Sequence, residues 1–577
     1  MKTKPTIHTL DANCQDCYRC VRACPVKAIR VTGGHARIRD EYCVRCGTCV
    51  KECPQRSKRI RSDLDEVKAI LSSGSFCACS VAPSFAALLD PDRAFRLPSA
   101  LRSLGFDYVS ETAEGAEYVT EKSFAAGTKG SLCTCCPVVV NYVEMYKPSF
   151  LGELVPVVSP MVAHGRLLKE ARDDCAVVFV GPCAAKKDEA RRPENLGAVD
   201  AVLTFGELFE WFEEAGINLE NCIESGFDSV YPVKNARLFP LEGGMLKTGN
   251  LAIDPADASV MALTGPANVI SYIESANRET GGKRVESMFC PGGCADGPGF
   301  PSNDTPHQRK TKLIAYNIRA GNAGKEALRV SGGDGPDLPA TDIDHAAVFT
   351  DKKVLPEAVS ESEVDRILEK MGKSESIARL NCGACGYKSC VEHAEAVARG
   401  MAEPDMCIPY VRTLAQQRTD RIIETTPNGV VILDGELSMI KMNPAFQKMF
   451  MCNNGILGRR ISYLLNSEGF EKLQAGNTEL YEAIRSKYGV RYHEILYPLR
   501  EEGQYVGIYA DISKIKYDAK QLDVIKAQTI VQAKEFLDHQ VRFAQEMAHY
   551  LGKSTAKSEE LAKQLINLYD ENDSPQE

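Results

Sequence analysis

Three segments far apart in the chain, SLCTCCP (131–137), GPCAAKKDE (181–189) and ESMFCPGGCADGPGFP (286–301), concentrate thiols in a way that points to one metal centre. Cysteine thiolates are soft donors, the ligands that iron-sulfur clusters use. Cys135, Cys136, Cys183, Cys290 and Cys294 lie in these segments, and donors converging from three loops would cross-link the fold. Pro137, Pro182, Pro291, Gly292, Gly293, Gly297 and Gly299 beside them suit tight turns against a bulky inorganic group. A lone buried cysteine is more often a small apolar residue than a ligand. Cys77, Cys79, Cys133, Cys175, Cys222 and Cys452 are therefore read as packing residues.

A second chemistry stands at the amino end. Cys14, Cys17, Cys20 and Cys24 followed by Pro25 repeat as Cys43, Cys46, Cys49 and Cys53 followed by Pro54. Two C-x-x-C-x-x-C-x-x-x-C-P runs are the pattern of bacterial two-cluster ferredoxins, in which the fourth cysteine of each run crosses to the other cluster. Cluster one is then Cys14, Cys17, Cys20 and Cys53, and cluster two Cys24, Cys43, Cys46 and Cys49. A pair of zinc sites is the alternative, but zinc favours two paired C-x-x-C elements over a triplet plus proline. Farther on, Cys382, Cys385 and Cys390, with Cys407 after a helical stretch, offer a third four-thiol set. A 4Fe-4S cluster suits it, and zinc is again the alternative, since four sulfur ligands fit both.

The elements around these thiols must be soluble and mixed. The chain has 577 residues, 44% hydrophobic and 25% charged, enough for about three to five domains. A net charge of -9 without a long basic run argues against nucleic acid. The 23 cysteines are spaced for metal rather than disulfides. MKTKPTIHTLDANC leads straight into a cysteine motif without a signal peptide, and no apolar run approaches the ~20 residues of a membrane span. A reducing cytoplasm is the expected location. Between residues 75 and 325, apolar runs such as VVFVGPC, AVLTF and SVMALTG alternate with helical patterns. They predict buried strands of an α/β fold whose strand-end loops carry ligands.

The three thiol segments resemble the signature segments of FeFe-hydrogenases, TSCCP, MPCxxKxxE and ExMxCxxGCxxGxGxP. The resemblance implies an H-cluster whose cubane is held by Cys136, Cys183, Cys290 and Cys294, the last bridging to a diiron subsite with carbon monoxide, cyanide and azadithiolate ligands. It implies that Lys186 contacts one cyanide, that Ala82, Pro83 and Ser84 of VAPS (81–84) lie against the other, and that Met288 lines the pocket. Glu189 completes the second segment, and PLEGGMLKTG (240–249) resembles the family's glycine-rich pocket segment. Cys135 matches the thiol that exchanges protons with the bridge amine. The family's efficient members carry two glutamates and a serine between that thiol and solvent. Here Ser123, Ala126 and Val155 align with those places, Gly181 replaces a pocket methionine, and Met161 replaces a glutamine. The expectation is slow turnover, with Glu117, Glu121 or water as substitute proton carriers.

After the core, residues 331–360 are rich in Gly, Asp and Pro and read as a connecting segment. The thiol set 382–407 resembles a small 4Fe-4S domain of corrinoid-linked and hydrogenase-like proteins. PNGVVILDGELSMIKMNPAFQKMF then resembles the start of a PAS domain, with HEILYPL and YVGIYADIS as later strands. Nothing there marks a ligand: neither flavin nor haem is expected, and His493 reads as a satisfied or exposed histidine. From Ile515 to Leu551 a helical stripe contains Leu522, Phe536, Phe543 and Tyr550 beside Ile530, Leu537 and Ala544, and it must pack on the PAS sheet or on a second copy.

The expected architecture is multidomain, α+β and α/β. It comprises a ferredoxin-like two-cluster module (1–60), a two-lobed α/β hydrogenase core (61–330), a linker (331–372), a small helical 4Fe-4S domain (373–412), a PAS domain (413–514) and a C-terminal helix (515–577). Four 4Fe-4S clusters are expected, one of them within the H-cluster. The order resembles the sensory group of FeFe-hydrogenases. It implies slow, reversible splitting of dihydrogen into protons and electrons, exchange with a redox partner such as ferredoxin, and signalling through the PAS domain to a downstream protein. Rival readings are an ordinary bidirectional ferredoxin-linked hydrogenase and a non-catalytic, prelamin-factor-like relative without the diiron subsite.

Overall fold

The computed structural model describes residues 5–126, 130–251, 259–275, 283–301, 304–330, 342–476, 478–499 and 502–513. It divides into two compact units, one ending at Cys407 and the other starting at Ile408. The expected helix at 515–577 and the first part of the linker, 331–341, lie outside the described residues.

The first unit begins with two half-repeats. Strand β1 (Ile7–Thr9) pairs antiparallel with β4 (Lys58–Ile60), and β2 (Ile29–Thr32) with β3 (His35–Ile38). Gly33 and Gly34, both at positive φ, make the turn of that hairpin. Each cysteine triplet wraps through two positive-φ residues at matching places, Asp16 and Tyr18 in the first run, Arg45 and Gly47 in the second. Alternating backbone of this kind turns N–H groups inward and forms the concave nests that suit iron-sulfur sites. Only the second run requires glycine, because a Cβ on Gly47 would run into Pro298 of the core.

The core holds a parallel sheet in the order β6 (Tyr108–Glu111), β5 (Cys77–Val81), β7 (Ala176–Gly181), β8 (Ala201–Thr204). Helices cover it, so strand residues are buried on both faces and the apolar runs are continuous. Cys77 and Cys79 are fully buried within β5, where burial pushes the Cys77 thiol up to about 12; both act as small apolar residues. A separate parallel pair, β9 (Val260–Thr264) and β10 (Arg284–Met288), forms a second layer. Residues 131–133 attach to it through Val285 N to Ser131 O and Cys133 N to Val285 O, each 2.9 Å.

A buried charge cluster lies inside the core, at the point where the chain leaves the ferredoxin module. Lys187, wholly buried, donates to Val202 O at 2.8 Å and pairs with Glu207 at 3.0 Å and Asp63 at 3.3 Å. Replacing Lys187 by Met would leave Glu207 buried without its cation, while Asp63 keeps Arg61 at 2.8 Å, so the denaturation midpoint should fall by the equivalent of about 3 kcal/mol. Part of the span expected as linker is packed: Val158 N donates to His345 O at 2.9 Å, Lys352 N to Glu144 O at 3.0 Å and Val354 N to Met145 O at 2.9 Å. A helix, Glu361–Lys370, also lies inside that span.

The second unit is a five-stranded antiparallel sheet, ordered β12 (Met439–Met442), β11 (Gly429–Leu433), β15 (Gln504–Asp511), β14 (Val490–Leu499), β13 (Tyr481–Lys487). Asn443 caps the helix Pro444–Met449, accepting from Phe446 N at 2.9 Å and donating to Asn428 O and Ile423 O at 2.8 Å. Phe446, Phe450, Tyr492 and Tyr509 fill its core in edge-on contacts with centroids 4.8–5.6 Å apart. His493 is buried on β14 and its Nε2 lies 3.4 Å from Glu482.

Candidate metal centres

The three-segment site forms at the ends of parallel strands, the usual ligand position in α/β sheets. Cys183 follows β7, Cys290 follows β10, and VAPS closes β5. Cys136 precedes the helix Pro137–Tyr146, whose proline occupies the first turn. The segments meet at close backbone contacts. Gly299 N donates to Pro182 O at 2.8 Å, and Gly293, at φ 94°, has no room for a Cβ against Pro240 O. The glycine-rich segment 240–249 thus touches the third thiol segment.

Cys136, Cys183, Cys290 and Cys294 act on one another as neighbouring thiols. Burial pushes Cys183 up to about 12, with Cys136 adding to the rise; loading such thiols with metal must release protons. Lys186 is buried beside them and donates to Ser159 Oγ at 2.8 Å and Glu189 Oε2 at 2.6 Å. Burial alone would lower its pKa, but Glu189, Cys183 and Cys136 raise it, so it stays a cation. An ammonium has three N–H donors, which leaves one for an anionic ligand. Met288 Sδ lies 3.7 Å from Cys294 Sγ. Ala82, Pro83 and Ser84 are buried, and Ser84 Oγ has no hydrogen-bond partner among the described residues.

Four gathered thiols fit a 4Fe-4S cubane. A partnerless buried hydroxyl and a spare ammonium N–H are donors that a cubane alone does not need, and they fit a group with polar ligands.

Cys135 lies on the other side of this pocket, its thiol 3.9 Å from Ser287 O. Burial holds it well above the ordinary thiol range, and Cys133, Cys136, Glu286 and Cys294 add to that. Glu117 and Glu121 serve elsewhere: Glu117 accepts from the backbone N–H groups of Lys234, Asn235 and Ala236 at 3.0–3.3 Å, and Glu121 accepts from Tyr231 Oη at 2.9 Å. Val155 is fully buried, and its carbonyl accepts from Thr134 Oγ1 at 3.0 Å.

The carboxyl that bears on Cys135 is Glu286, which sequence reasoning passed over although it opens the third segment. It accepts from Leu246 N at 3.1 Å, and burial pushes it up to about 8 against the pull of that and neighbouring N–H groups. An unfolded glutamate ionises near ~4.3, so the folded carboxyl keeps its proton to higher pH. Its contribution to stability is therefore complete at low pH and is lost as the pH rises through that window. Glu286→Gln should flatten the fall in denaturation midpoint between about pH 5 and about pH 8.

At the amino end, Cys20 is raised to about 11 by burial, with Cys17, Cys14 and Cys53 as its thiol neighbours. Cys43 has Cys46 and Cys24, and Cys49 has Cys46, Cys43 and Cys24 among its neighbours. The structure thus places the fourth thiol of each run with the other run's triplet. Cys385 has Cys407 and Cys382 as neighbours, and Lys373 donates to Cys390 at 3.1 Å while also interacting with Cys407. This buried lysine carried no sequence signal.

Family models match in four places. These are the iron only hydrogenase large subunit, C-terminal domain (75–298), the 4Fe-4S dicluster domain (7–54), an Fe-S cluster model (378–409) and the PAS domain (417–485). The chain is 25% identical over 379 residues to the NADP-reducing hydrogenase subunit HndD of Solidesulfovibrio fructosivorans, covering 54% of this chain and 60% of that protein. It is 36% identical over 107 residues to the cytosolic Fe-S cluster assembly factor NAR1 of Vanderwaltozyma polyspora, covering 18% of this chain and 20% of that one. A solved FeFe-hydrogenase HydA1 variant from Chlamydomonas reinhardtii aligns at 19% identity and TM-score 0.38, over 51% of this chain and 100% of that chain. The chain spans only part of the length of the curated relatives it matches, 60% for HndD. Among the described residues no helix is long and apolar enough to cross a membrane. The chain thus carries a region matched by the iron only hydrogenase large subunit, C-terminal domain model, together with regions matched by 4Fe-4S dicluster, Fe-S cluster and PAS domain models.

Proposed function

We propose that this chain splits dihydrogen slowly and reversibly and reports it, as a sensor, through its PAS domain. One observation carries the reading: beside the four thiols stand Cys135, the Lys186 ammonium and the partnerless Ser84 hydroxyl. When bound, a diiron group with carbon monoxide, cyanide and azadithiolate ligands supplies a Lewis-acidic iron and an amine base for heterolytic cleavage. Cys136, Cys183, Cys290 and Cys294 hold the adjoining cubane. Lys186 and Ser84 would donate hydrogen bonds to its cyanide ligands, Ala82 and Pro83 would shape the wall, and Met288 would exclude water.

Cys135 holds the proton at Sγ. Burial keeps the Cys135 thiol protonated, so it hands its own proton on only as it takes up another, and no thiolate is left in the pocket. Glu286, protonated at neutral pH because burial pushes it up to about 8, is the next carrier, releasing its own proton before it is reloaded from Cys135. The places where the family carries its exit path hold Ser123, Ala126 and Val155, which supports low throughput. Electrons would leave through the iron-sulfur clusters towards a ferredoxin-type partner. The helix Ile408–Thr425 starts one residue after Cys407, and its Ile423 packs on the PAS strands, which supports coupling of cluster state to that domain.

The similarity to NAR1 supports a second reading, a non-catalytic iron-sulfur protein. The fully loaded protein, held under D2 in ordinary water, should release HD, detected by mass spectrometry. Intact clusters without HD would favour the second reading.

A further inference from the structure

The single-cluster domain is docked on the ferredoxin module within one compact unit. Val31 N donates to Met401 O at 2.9 Å, Gly33 N to Glu403 Oε1 at 2.7 Å, and Arg22 to Ala384 O at 3.2 Å. Gly386, at φ 96°, lies so close to the helix Arg19–Ala23 that a Cβ would come within 3.0 Å of Arg22 N. Behind this contact Tyr387 is buried and stacked on His393. Lys27 lies over the Tyr387 ring and donates to Val21 O at 3.0 Å and Arg22 O at 3.3 Å. Both Lys27 and Tyr387 interact with two thiols, Cys24 of cluster two and Cys385 of the single-cluster set.

Cluster two also faces the three-segment site. Gly47 abuts Pro298, Asn141 Nδ2 donates to Val44 O at 3.1 Å, Lys51 bonds Asp296, and Cys46 has Cys136 as a neighbouring thiol. Cluster one's thiols Cys14, Cys17 and Cys53 are partly exposed, and Asp16 in its loop interacts with Glu403.

We infer that the electron path branches: cluster two is a hub touching both the H-cluster cubane and the fourth cluster, with Lys27 as the positioning cation between hub and branch, while cluster one is the port to outside partners. The inference rests on the four-cluster reading above. Tunnelling rates fall steeply with distance, so an electron arriving at cluster two can pass to the fourth cluster without visiting cluster one. The Lys27 charge lies between two anionic clusters and lowers the electrostatic cost of reducing both.

The test is an EPR-monitored redox titration of the full-length protein carrying iron-sulfur clusters, with iron counts. Wild type should hold about sixteen irons, four per cluster. Cys385→Ala, which deletes the fourth cluster, should narrow the signal that survives in Cys17→Ala, where cluster one is gone. Lys27→Gln should move the midpoints of the fourth cluster and of that same signal downward together. Narrowing of the signal missing from Cys17→Ala, or a Lys27→Gln shift in neither cluster, would overturn the hub with the cluster count intact. About twelve irons in wild type, with zinc at the Cys382 set, would overturn the fourth cluster and the branch together.

Discussion

Replacing Cys136 by Ala is expected to remove about four irons per chain and to abolish dihydrogen turnover while the remaining clusters persist. Cys136 stands where the CCP segment enters the helix Pro137–Tyr146 and is the thiol neighbour that Cys183, Cys290 and Cys294 share. Three thiols do not complete a cubane's coordination, and the group that depends on the cubane has no other anchor. Iron content, EPR and hydrogen uptake check it together. Full turnover with the full iron count would remove Cys136 from the ligand set. The packing cost should be slight, because the change deletes one sulfur at a ligand position and leaves Pro137 to start the helix.

Cys135→Ala should act differently, leaving the iron count unchanged while turnover drops by about 10²–10⁴-fold, the usual contribution of a positioned proton carrier. A serine there should recover little, because a hydroxyl holds its proton far more tightly than a thiol. The readout that separates proton transfer from structural damage is the solvent isotope effect, which should grow in the alanine variant. A variant with normal turnover would show that protons leave by another route, with Glu286 the first residue to test, since it is the carboxyl that acts on Cys135.

How far the site was legible in the sequence depends on the kind of information each residue carries. Metal ligands are fixed by chemistry at fixed spacing, so Cys136, Cys183, Cys290 and Cys294 could be named from their motifs, and the structure gathers them. Two of the strands behind them were legible too, because VVFVG and AVLT are buried on both faces, whereas VMALT is half-buried along most of its length. Glu286 was not, since its role comes from burial against the helix Gly244–Thr248, some forty residues away in sequence. Glu117 and Glu121 looked suitable by position, but their carboxyls are taken by the loop 230–236. Lys27, Lys187 and Lys373 carry no motif signal; only tertiary packing makes them a bridge, a buried core cation and a thiol partner. Residues 342–354 read as linker because their composition is polar, yet backbone bonds to residues 144–158 hold them on the core.

The central claim is that the three-segment pocket holds a diiron group with carbon monoxide and cyanide ligands, and infrared spectroscopy of the matured protein tests it most directly. The predicted result is a set of sharp bands from metal-bound carbon monoxide and cyanide, with the cyanide bands shifting in Lys186→Met. A matured protein that carries all its iron-sulfur clusters but shows no such bands would contradict it.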